Sequence, residues 1–210
     1  MPVHPFKNRT NLIYQRQQYE AGGIGRRYWD FRDRMILAQI PTDASTILEA
    51  GCGEGILLEK LLKKYPHSEV SGLDIDEENI TICRKYNLPV IAGDLTDIPW
   101  EDQYFEVITL IEVIEHLPAP EKVFKELSRT LKAGGRLIVL FPNDLAFKIA
   151  RISTLYWLEA FADSGHIRQY HPRSVKRMAE KAGFQQIFGR GLPFPIWPLA
   201  LHYLIVFDKK

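Results

Sequence analysis

The arrangement of apolar segments between residues 46 and 141 constrains the fold of this chain more than any other feature. Short apolar runs alternate there with turns and with longer segments whose apolar residues recur at helical spacing. This alternation is typical of parallel strands joined by crossover helices, because a tight turn cannot connect two parallel strands. The sequence therefore predicts an α/β fold with parallel strands at residues 46–50, 70–73, 90–92, 105–111 and 136–141.

The flanking segments complete a prediction of one domain over residues 1–210. An amphipathic segment lies at 145–161, and a last helix at 172–182 precedes two apolar runs at 184–188 and 201–207. Because a loop rather than a helix joins these two runs, we expect them to pair antiparallel. The predicted parts are an N-terminal helical cover at 1–45 with a helix at 28–40, a strand and helix core at 46–141, a helical cap at 142–171, and a final helix with its strand pair at 172–210.

Charge and cysteine content narrow the class of protein. The 27 Lys and Arg residues nearly balance the 26 Asp and Glu residues, for a formal net charge of +1. A chain so close to neutral has no general field to hold a nucleic-acid backbone or an anionic membrane. Cys52 and Cys83 lack zinc-type spacing and no signal-peptide pattern is seen, so we expect a cytoplasmic protein. The apolar stretch at 191–207 is interrupted by prolines and is too short to span a membrane.

Alternating glycines follow the first predicted strand. Gly51, Gly53 and Gly55 form the pattern G-x-G-x-G at the turn into the next helix. Glycines let a backbone approach a ligand without a Cβ in the way, and a helix start presents unpaired N–H groups. The pattern lacks the G-x-G-x-x-G spacing that seats a dinucleotide pyrophosphate, and the preceding Glu49 suits a ligand with an ammonium group. A tight turn without a ligand is the alternative for the glycines alone.

Carboxylates also end the second and third predicted strands, at Asp74 and Asp94. With Glu49 they place acidic residues at consecutive strand ends, on the edge where open α/β sheets bind ligands. Asp74 has the spacing from the glycines at which a carboxylate accepts hydrogen bonds from a ribose diol. Each residue alone could be a solvated loop carboxylate, but together they indicate a binding site.

At these residues the sequence resembles the class I S-adenosylmethionine-dependent methyltransferases, and in particular the ubiquinone-type O-methyltransferases of the type 11 group. Glu49-Ala-Gly51-Cys-Gly53-Glu-Gly55 matches the glycine motif of that family, and Leu131-Lys-Ala-Gly-Gly-Arg-Leu matches its turn after a helix. The resemblance is dense over residues 46–141. It implies a Rossmann-like, doubly wound, mainly parallel seven-stranded sheet with an antiparallel last strand and helices on both faces.

The resemblance also implies a cofactor, S-adenosylmethionine, with S-adenosylhomocysteine as the product. Gly51 and Gly53 would back its methionine portion, Ile111 would offer its backbone there, and Arg34 would reach the carboxylate. Asp74 would bind the ribose, and Asp94 would contact the adenine. The expected cofactor-binding residues are Glu49, Gly51, Gly53, Gly55, Asp74, Ile75, Asp94, Leu95, Ile111 and Arg34.

The segment after the fourth predicted strand carries the candidate catalytic residues. His116 can accept a proton from a hydroxyl at neutral pH and is the candidate general base, with His166 as a second site residue. Alternatively, His116 only hydrogen-bonds the loop. Glu112, Glu115 and His116 form E-x-x-E-H, which resembles the metal-binding motif of ubiquinone-type O-methyltransferases and of small-RNA 2'-O-methyltransferases. The motif also occurs without metal, and we expect the metal-free form, with both glutamates accepting hydrogen bonds at the next helix start.

The predicted function is transfer of a methyl group from S-adenosylmethionine to a small molecule, with a hydroxyl oxygen as the favoured acceptor. Apolar residues of the proposed cover favour an apolar or aromatic acceptor; they are Phe147, Leu155, Tyr156, Trp157, Leu158, Phe161, Phe194, Ile196 and Trp197. The last helix has a basic face, which we expect to be exposed to solvent. The alternative is that this face binds the phosphate backbone of RNA; its residues are Arg173, Lys176, Arg177 and Lys181. An RNA 2'-O-methyltransferase and a non-catalytic nucleoside-cofactor binding module stay open as alternative functions. The sequence names neither the acceptor atom nor the oligomeric state.

Overall fold

A computed structural model, which describes residues 15–143, 146, 167–196 and 199–210, confirms the predicted alternation. The strands are β1 (Thr46–Ala50), β2 (Glu69–Asp74), β3 (Val90–Ala92), β4 (Phe105–Ile111), β5 (Leu131–Pro142), β6 (Phe184–Leu192) and β7 (His202–Lys209). The helices are α1 (Gln15–Ala21), α2 (Gly23–Leu37), α3 (Ile56–Lys64), α4 (Glu77–Lys85), α5 (Pro120–Thr130) and α6 (Pro172–Lys181), with a 3₁₀ turn at Ile114–His116.

The seven strands form one mixed sheet in the order β3-β2-β1-β4-β5-β7-β6. The strands β1 to β5 are parallel, and β7 pairs antiparallel with β6, as the sequence predicts. The structure adds that β7 lies between β5 and β6 and is antiparallel to both. The chain fills one half of the sheet outward from β1 and then returns to begin the other half at β4. The carboxyl ends of these two central strands therefore flank a topological switch point, where open α/β sheets bind their ligands.

Helices pack on both faces of the sheet through the apolar positions that the sequence pattern identifies. On one face, α2 and α3 bury Ile36, Leu58 and Leu61 against the sheet. On the other face, α5 and α6 bury Phe124 and Val175. Each such side chain contributes about 1.5–3 kcal/mol relative to exposure. The two apolar layers thus cover both faces of the sheet.

The N-terminal cover differs from the prediction of one helix over residues 28–40. The structure has two helices, α1 and α2, and α2 begins at Gly23. The break between them is at Gly22, and both Gly22 and Gly23, the first residue of α2, have positive φ values, 84° and 81°, which favour glycine. The helix therefore begins upstream of residue 28 and includes Gly25, although glycine disfavours a helix interior.

The segment after α5 also differs, because β5 begins at Leu131 rather than at residue 136. Leu131 pairs with Phe105 of β4, so Lys132 and the two glycines belong to the strand rather than to the end of a helix. Gly135 is required by close packing. A Cβ there would lie 2.8 Å from the Lys132 carbonyl oxygen and 3.1 Å from that of Glu106.

Most of the predicted cap at 142–171 lies outside the described residues, which include only 142, 143, 146 and 167–171 of it. The organisation of the whole chain as one domain therefore stays a prediction. Within the described part of the chain, no helix is both long and apolar enough to cross a membrane.

Gly135→Ala should destabilise the protein by about 1–3 kcal/mol, because the new Cβ meets backbone atoms that cannot move aside. Urea unfolding would measure the loss. Gly25→Ala is the matched control: a Cβ there meets nothing within 4 Å, and alanine favours the helix, so stability should stay the same or rise. Equal stability of the two variants would contradict the packing argument.

Candidate functional site

The glycine turn after β1 is fixed by backbone hydrogen bonds and by close packing. The N–H groups of Gly51 and Cys52 donate to the Leu73 carbonyl oxygen at 2.7 and 3.0 Å. A Cβ on Gly51 would lie 2.5 Å from a methyl group of Val113 in the turn after β4. A Cβ on Gly53 would meet nothing within 4 Å. The turn is thus packed tightly against the protein at its first glycine and open at its second.

Asp74 joins the end of β2 to this turn. Its Oδ2 accepts a hydrogen bond of 2.7 Å from the Gly53 N–H. Its Oδ1 accepts from the Asp76 N–H at 2.9 Å and from the Asn79 side chain at 3.3 Å. The carboxylate is buried and held in one orientation, beside the open side of Gly53.

Glu49 is a buried carboxylate near the glycine turn. The side chain projects from β1 just before the glycines and is 4% exposed. Its Oε2 is fully buried and has no hydrogen-bond partner among the residues that the structure describes. Burial raises the pKa of Glu49 well above its usual value, and the nearby carboxylate of Asp33 raises it further. A buried carboxylate in this state is costly unless a cation or donor pairs with it.

Arg32 is the arginine that α2 directs toward the strand ends. It is buried, and its guanidinium donates to Glu112 at 2.5 Å and to Asp33 at 2.9 Å. Within the described residues, its Nη2 group has no hydrogen-bond partner. Arg34, the arginine that the family resemblance suggested, is exposed and lines an open surface depression with Lys60. Two residues along a helix turn a side chain by about 200°, so the two arginines lie on different faces.

Glu112, the first residue after β4, has a left-handed backbone conformation with φ 56°. Non-glycine residues in this region are strained and cluster at functional sites. Its carboxylate accepts hydrogen bonds from Arg32 and from His202 Nε2, each at 2.5 Å. Burial alone would raise the pKa of Glu112, but the charge of Arg32 and the hydrogen bonds from Arg32 and His202 hold it well below its usual value. Glu112 is therefore ionised and joins α2 to β7 at the end of β4.

His202 begins β7 and is 1% exposed. Its Nδ1 lies 2.7 Å from the hydroxyl of Tyr28, a half-buried residue of α2. The two rings stack with centroids 5.6 Å apart. Burial raises the pKa of Tyr28, and the charge of Glu112 raises it further, so the hydroxyl is protonated at neutral pH.

The other predicted contact residues lie at neighbouring strand ends. Ile75 follows Asp74 and is 52% exposed. Asp94 is exposed, with its Oδ1 accepting a hydrogen bond of 2.8 Å from the Thr96 N–H, whereas Leu95 is buried. Ile111, at the end of β4, is half-buried. The structure thus brings the acidic and apolar candidates to one edge of the sheet.

The conditional metal set is not brought together. Glu112 faces Arg32 and His202, so a divalent cation would have to displace two positively charged or proton-donating partners. This pairing also differs from the expected hydrogen bonds to the start of α5. No cluster of three or more His, Cys, Asp or Glu side chains suited to a metal ion occurs in the described ranges. His116 is half-buried in the 3₁₀ turn, and His166 lies outside the described residues.

Comparison with known proteins decides the family. A model of the methyltransferase domain family matches residues 14–187. The chain belongs to this family. It is an S-adenosylmethionine-dependent methyltransferase with a Rossmann-like fold.

Relatives and solved structures agree with this assignment. The methyltransferase is 30% identical over 173 residues to a ubiquinone biosynthesis O-methyltransferase of Coxiella burnetii, covering 78% of this chain and 73% of that protein. It is 29% identical over 174 residues to the protein of the same name from Pseudomonas paraeruginosa, with the same coverage. The crystal structure of a SAM-dependent methyltransferase from Archaeoglobus fulgidus has the same fold, with TM-score 0.67, 18% identity, and 86% and 94% of the two chains covered.

A short N-terminal helix docks on the glycine turn of the methyltransferase. Glu54 accepts hydrogen bonds from the backbone N–H groups of Gln15 and Arg16 at 2.9 and 2.7 Å, at the start of α1. The Arg16 guanidinium in turn donates to the Glu54 carbonyl oxygen at 3.0 Å and forms a 3.0 Å ion pair with Glu59. It also stacks 3.9 Å from the ring centroid of Tyr86.

Sequence reasoning missed the partners that the N-terminal cover and the last strand supply. They are Arg16, Tyr28, Arg32 and His202. The sequence did contain a partial indication of the arginines. Several carboxylates at one edge of the sheet need positively charged partners, and these must come from another segment of the chain. No local pattern singles out His202, since it lies within an apolar strand.

Arg16→Ala should destabilise the methyltransferase by about 1–3 kcal/mol and increase amide exchange over Gln15–Ala21, because buried hydrogen bonds to Glu54 are lost. Hydrogen-exchange mass spectrometry and urea unfolding would measure both effects. The matched control is Lys63→Ala, which removes an exposed ion pair to the same Glu59 and should cost about 0.5 kcal/mol or less. Similar exchange in both variants would show that α1 does not depend on Arg16.

Proposed function

We propose that this site binds S-adenosylmethionine with the methionine portion between Glu49 and Arg32. The supporting observation is the buried Glu49 carboxylate, which lacks a hydrogen-bond partner among the described residues. The ammonium group of the cofactor would supply both the cation and the donors that Glu49 requires. Arg32 has a guanidinium nitrogen without a partner in the same residues, and it would take the methionine carboxylate. This places Arg32 in the role that the sequence suggested for Arg34.

The rest of the cofactor fits along the same strand ends. Asp74 would accept the ribose hydroxyls, with the longest of its present hydrogen bonds, from Asn79, giving way. Ile75 offers exposed apolar surface next to it for the adenine, with Asp94 and Leu95 completing that end. The open face of Gly53 leaves room for the cofactor. Gly51, Gly55 and the backbone of Ile111 would line the methionine side.

We further propose that the methyl acceptor is a hydroxyl oxygen of a small molecule. The names of the relatives at 25–30% identity support an oxygen acceptor. S-adenosylmethionine supplies an electrophilic methyl group, and the chain would hold the acceptor oxygen in line with the departing sulfur at near-attack distance. His116 and His166 stay candidates for the acceptor side, His116 on the strength of its place in the turn after β4.

RNA 2'-O-methylation is the second candidate, and α6 is the feature that would favour it. Arg173, Lys176, Arg177 and Lys181 are all exposed on this helix. Lys176 lies 3.7 Å from Glu180, as expected for a solvated face, and the net charge of +1 adds no general attraction for a phosphate backbone. We therefore favour a small acceptor over RNA and over a binding module without turnover.

Glu49→Gln should weaken S-adenosylmethionine binding about 10- to 100-fold, because it removes the charged partner of the ammonium group. Isothermal calorimetry would measure the change, with S-adenosylhomocysteine as a second ligand. NAD should show no binding to either protein, since the turn lacks pyrophosphate spacing. Tighter binding of NAD than of S-adenosylmethionine to the unaltered protein would refute the proposed cofactor.

The same substitution should raise the stability of the free protein near neutral pH, because a glutamine amide is neutral without holding a proton, whereas the buried Glu49 must keep one or bear an unpaired charge. The folded pKa of Glu49 is raised, so the native state retains a proton at pH values where the unfolded state, with a pKa of about 4.3, has lost it. The stability advantage of Glu49→Gln should therefore grow as pH rises from about 4.3 through the raised pKa. Urea unfolding at several pH values would measure it, and an advantage that shrinks with rising pH would contradict the account.

Methyl transfer itself is tested with radiolabelled S-adenosylmethionine and separate pools of small hydroxyl compounds and of RNA. We expect label in the small-molecule pool, in alkali-stable ether products. A variant with Arg173, Lys176, Arg177 and Lys181 changed to glutamine should keep this activity, since that face is solvated. Label in RNA that disappears in the same variant would instead support the RNA alternative.

A further inference from the structure

A carboxylate, an imidazole and a hydroxyl are linked in series at the carboxyl edge of the sheet. Glu112 Oε1 lies 2.5 Å from His202 Nε2, and His202 Nδ1 lies 2.7 Å from the Tyr28 hydroxyl. The residues come from the end of β4, from β7 and from α2, so three separate elements converge to form the series. Two further described groups contact the series: Arg32 pairs with Glu112, and the Leu192 carbonyl oxygen lies 3.4 Å from the Tyr28 hydroxyl.

The partners of His202 determine its tautomer. Glu112 is ionised and can only accept hydrogen bonds, so His202 Nε2 must carry a proton. In the neutral ring, Nδ1 is then an acceptor, and the Tyr28 hydroxyl donates to it. A proton arriving at Nδ1 would create an imidazolium next to Glu112, where the opposite charge stabilises it.

We propose that Tyr28, His202 and Glu112 form a proton relay that receives the proton of the methyl acceptor. The proposal rests on the proposed function, in which that acceptor is a hydroxyl. His202 is too buried to meet an acceptor, whereas Tyr28 is half-buried and carries the hydroxyl at the outer end of the series. The Tyr28 hydroxyl is therefore the group that would meet the acceptor oxygen, and His202 and Glu112 act through it as positioning and proton-storing residues.

The relay balances the transfer reaction. The acceptor oxygen forms a bond to the methyl carbon while the bond from that carbon to sulfur breaks, and the electron pair returns to sulfur. The acceptor proton passes to the Tyr28 oxygen as the Tyr28 proton passes to His202 Nδ1. Tyr28 remains a neutral phenol, consistent with its buried surroundings, and the Leu192 carbonyl oxygen can accept its hydrogen while the imidazolium donates to its oxygen. After the methylated product leaves, the proton returns from His202 Nδ1 through the half-buried Tyr28 hydroxyl to solvent.

The kinetic test compares two acceptors that differ in their need for a base. Catechol reacts as a protonated phenol, whereas the nitro group of 4-nitrocatechol leaves it largely ionised at mildly alkaline pH. Tyr28→Phe and His202→Gln should lower kcat about 100-fold with catechol and much less with 4-nitrocatechol, as loss of general-base catalysis requires. Calorimetry should show nearly unchanged affinity for S-adenosylhomocysteine. Equal losses with both acceptors would assign Tyr28 and His202 a structural role.

Two further variants distinguish the relay from a nonspecific effect of losing a hydroxyl and from His116 as the general base. Like Tyr28→Phe, Tyr104→Phe removes a tyrosine hydroxyl that makes a hydrogen bond, here one of 2.7 Å to the Glu69 carboxylate. This bond lies at the opposite edge of the sheet, so Tyr104→Phe should leave both rates unchanged. His116→Ala tests the other candidate base. If only that variant loses activity selectively with catechol, the relay is overturned and the proposed function stands.

A measurement without turnover tests the relay even if neither catechol is methylated. Nitrogen-15 NMR of the protein bound to S-adenosylhomocysteine, with His202 assigned by its absence in His202→Gln, reports which ring nitrogen carries the proton. We expect the Nε2–H tautomer and an Nδ1 shift that changes in Tyr28→Phe. The Nδ1–H tautomer, or an Nδ1 shift unaffected by Tyr28→Phe, would overturn the relay. Failure to methylate any hydroxyl compound would count against the proposed function separately.

Discussion

Negative charge buried at the carboxyl edge of the sheet is the constraint on which the rest of this structure depends. Glu49, Asp74 and Glu112 end or follow three neighbouring strands, and each is removed from bulk water to a different degree. Carboxylates in such a position are unfavourable unless donors or cations compensate them. The three carboxylates differ in their partners. Asp74 accepts hydrogen bonds from backbone and amide donors, and Glu112 pairs with Arg32 and His202. Glu49 Oε2 has no hydrogen-bond partner in the described residues.

The N-terminal helices supply much of the compensating positive charge, and this explains why they dock where they do. Arg32 of α2 reaches Glu112, and Lys60 of α3 bridges Asp30 and Asp33 of α2 at 2.8 and 2.7 Å. Together these ion pairs tie α2 to the strand ends and to α3. The N-terminal cover therefore contributes charge to the candidate site, because Arg32 pairs with the Glu112 carboxylate at the end of β4.

The sequence was sufficient for the features that arise from local chemistry. The hydrophobic period predicted the strands, and the glycine spacing predicted that the turn after β1 and Asp74 lie together at one edge of the sheet, because both follow from rules that act over a few residues. The charge partners were beyond that reach. Arg32 and His202 are separated from Glu112 by 80 and 90 residues, and choosing Arg32 over Arg34 required knowing which face of α2 meets the sheet.

The insertion of β7 between β5 and β6 has a consequence for how the protein is made. The glycine turn, Asp74 and Glu112 leave the ribosome long before His202, which begins the last strand in the chain. Because chains emerge from their N-terminal end, the elements that would hold the nucleoside can assemble while Glu112 still lacks its imidazole partner. Completion of the proposed relay would wait for β7 to pair with both β5 and β6. The order of synthesis would thus separate assembly of the proposed nucleoside site from assembly of the proposed relay.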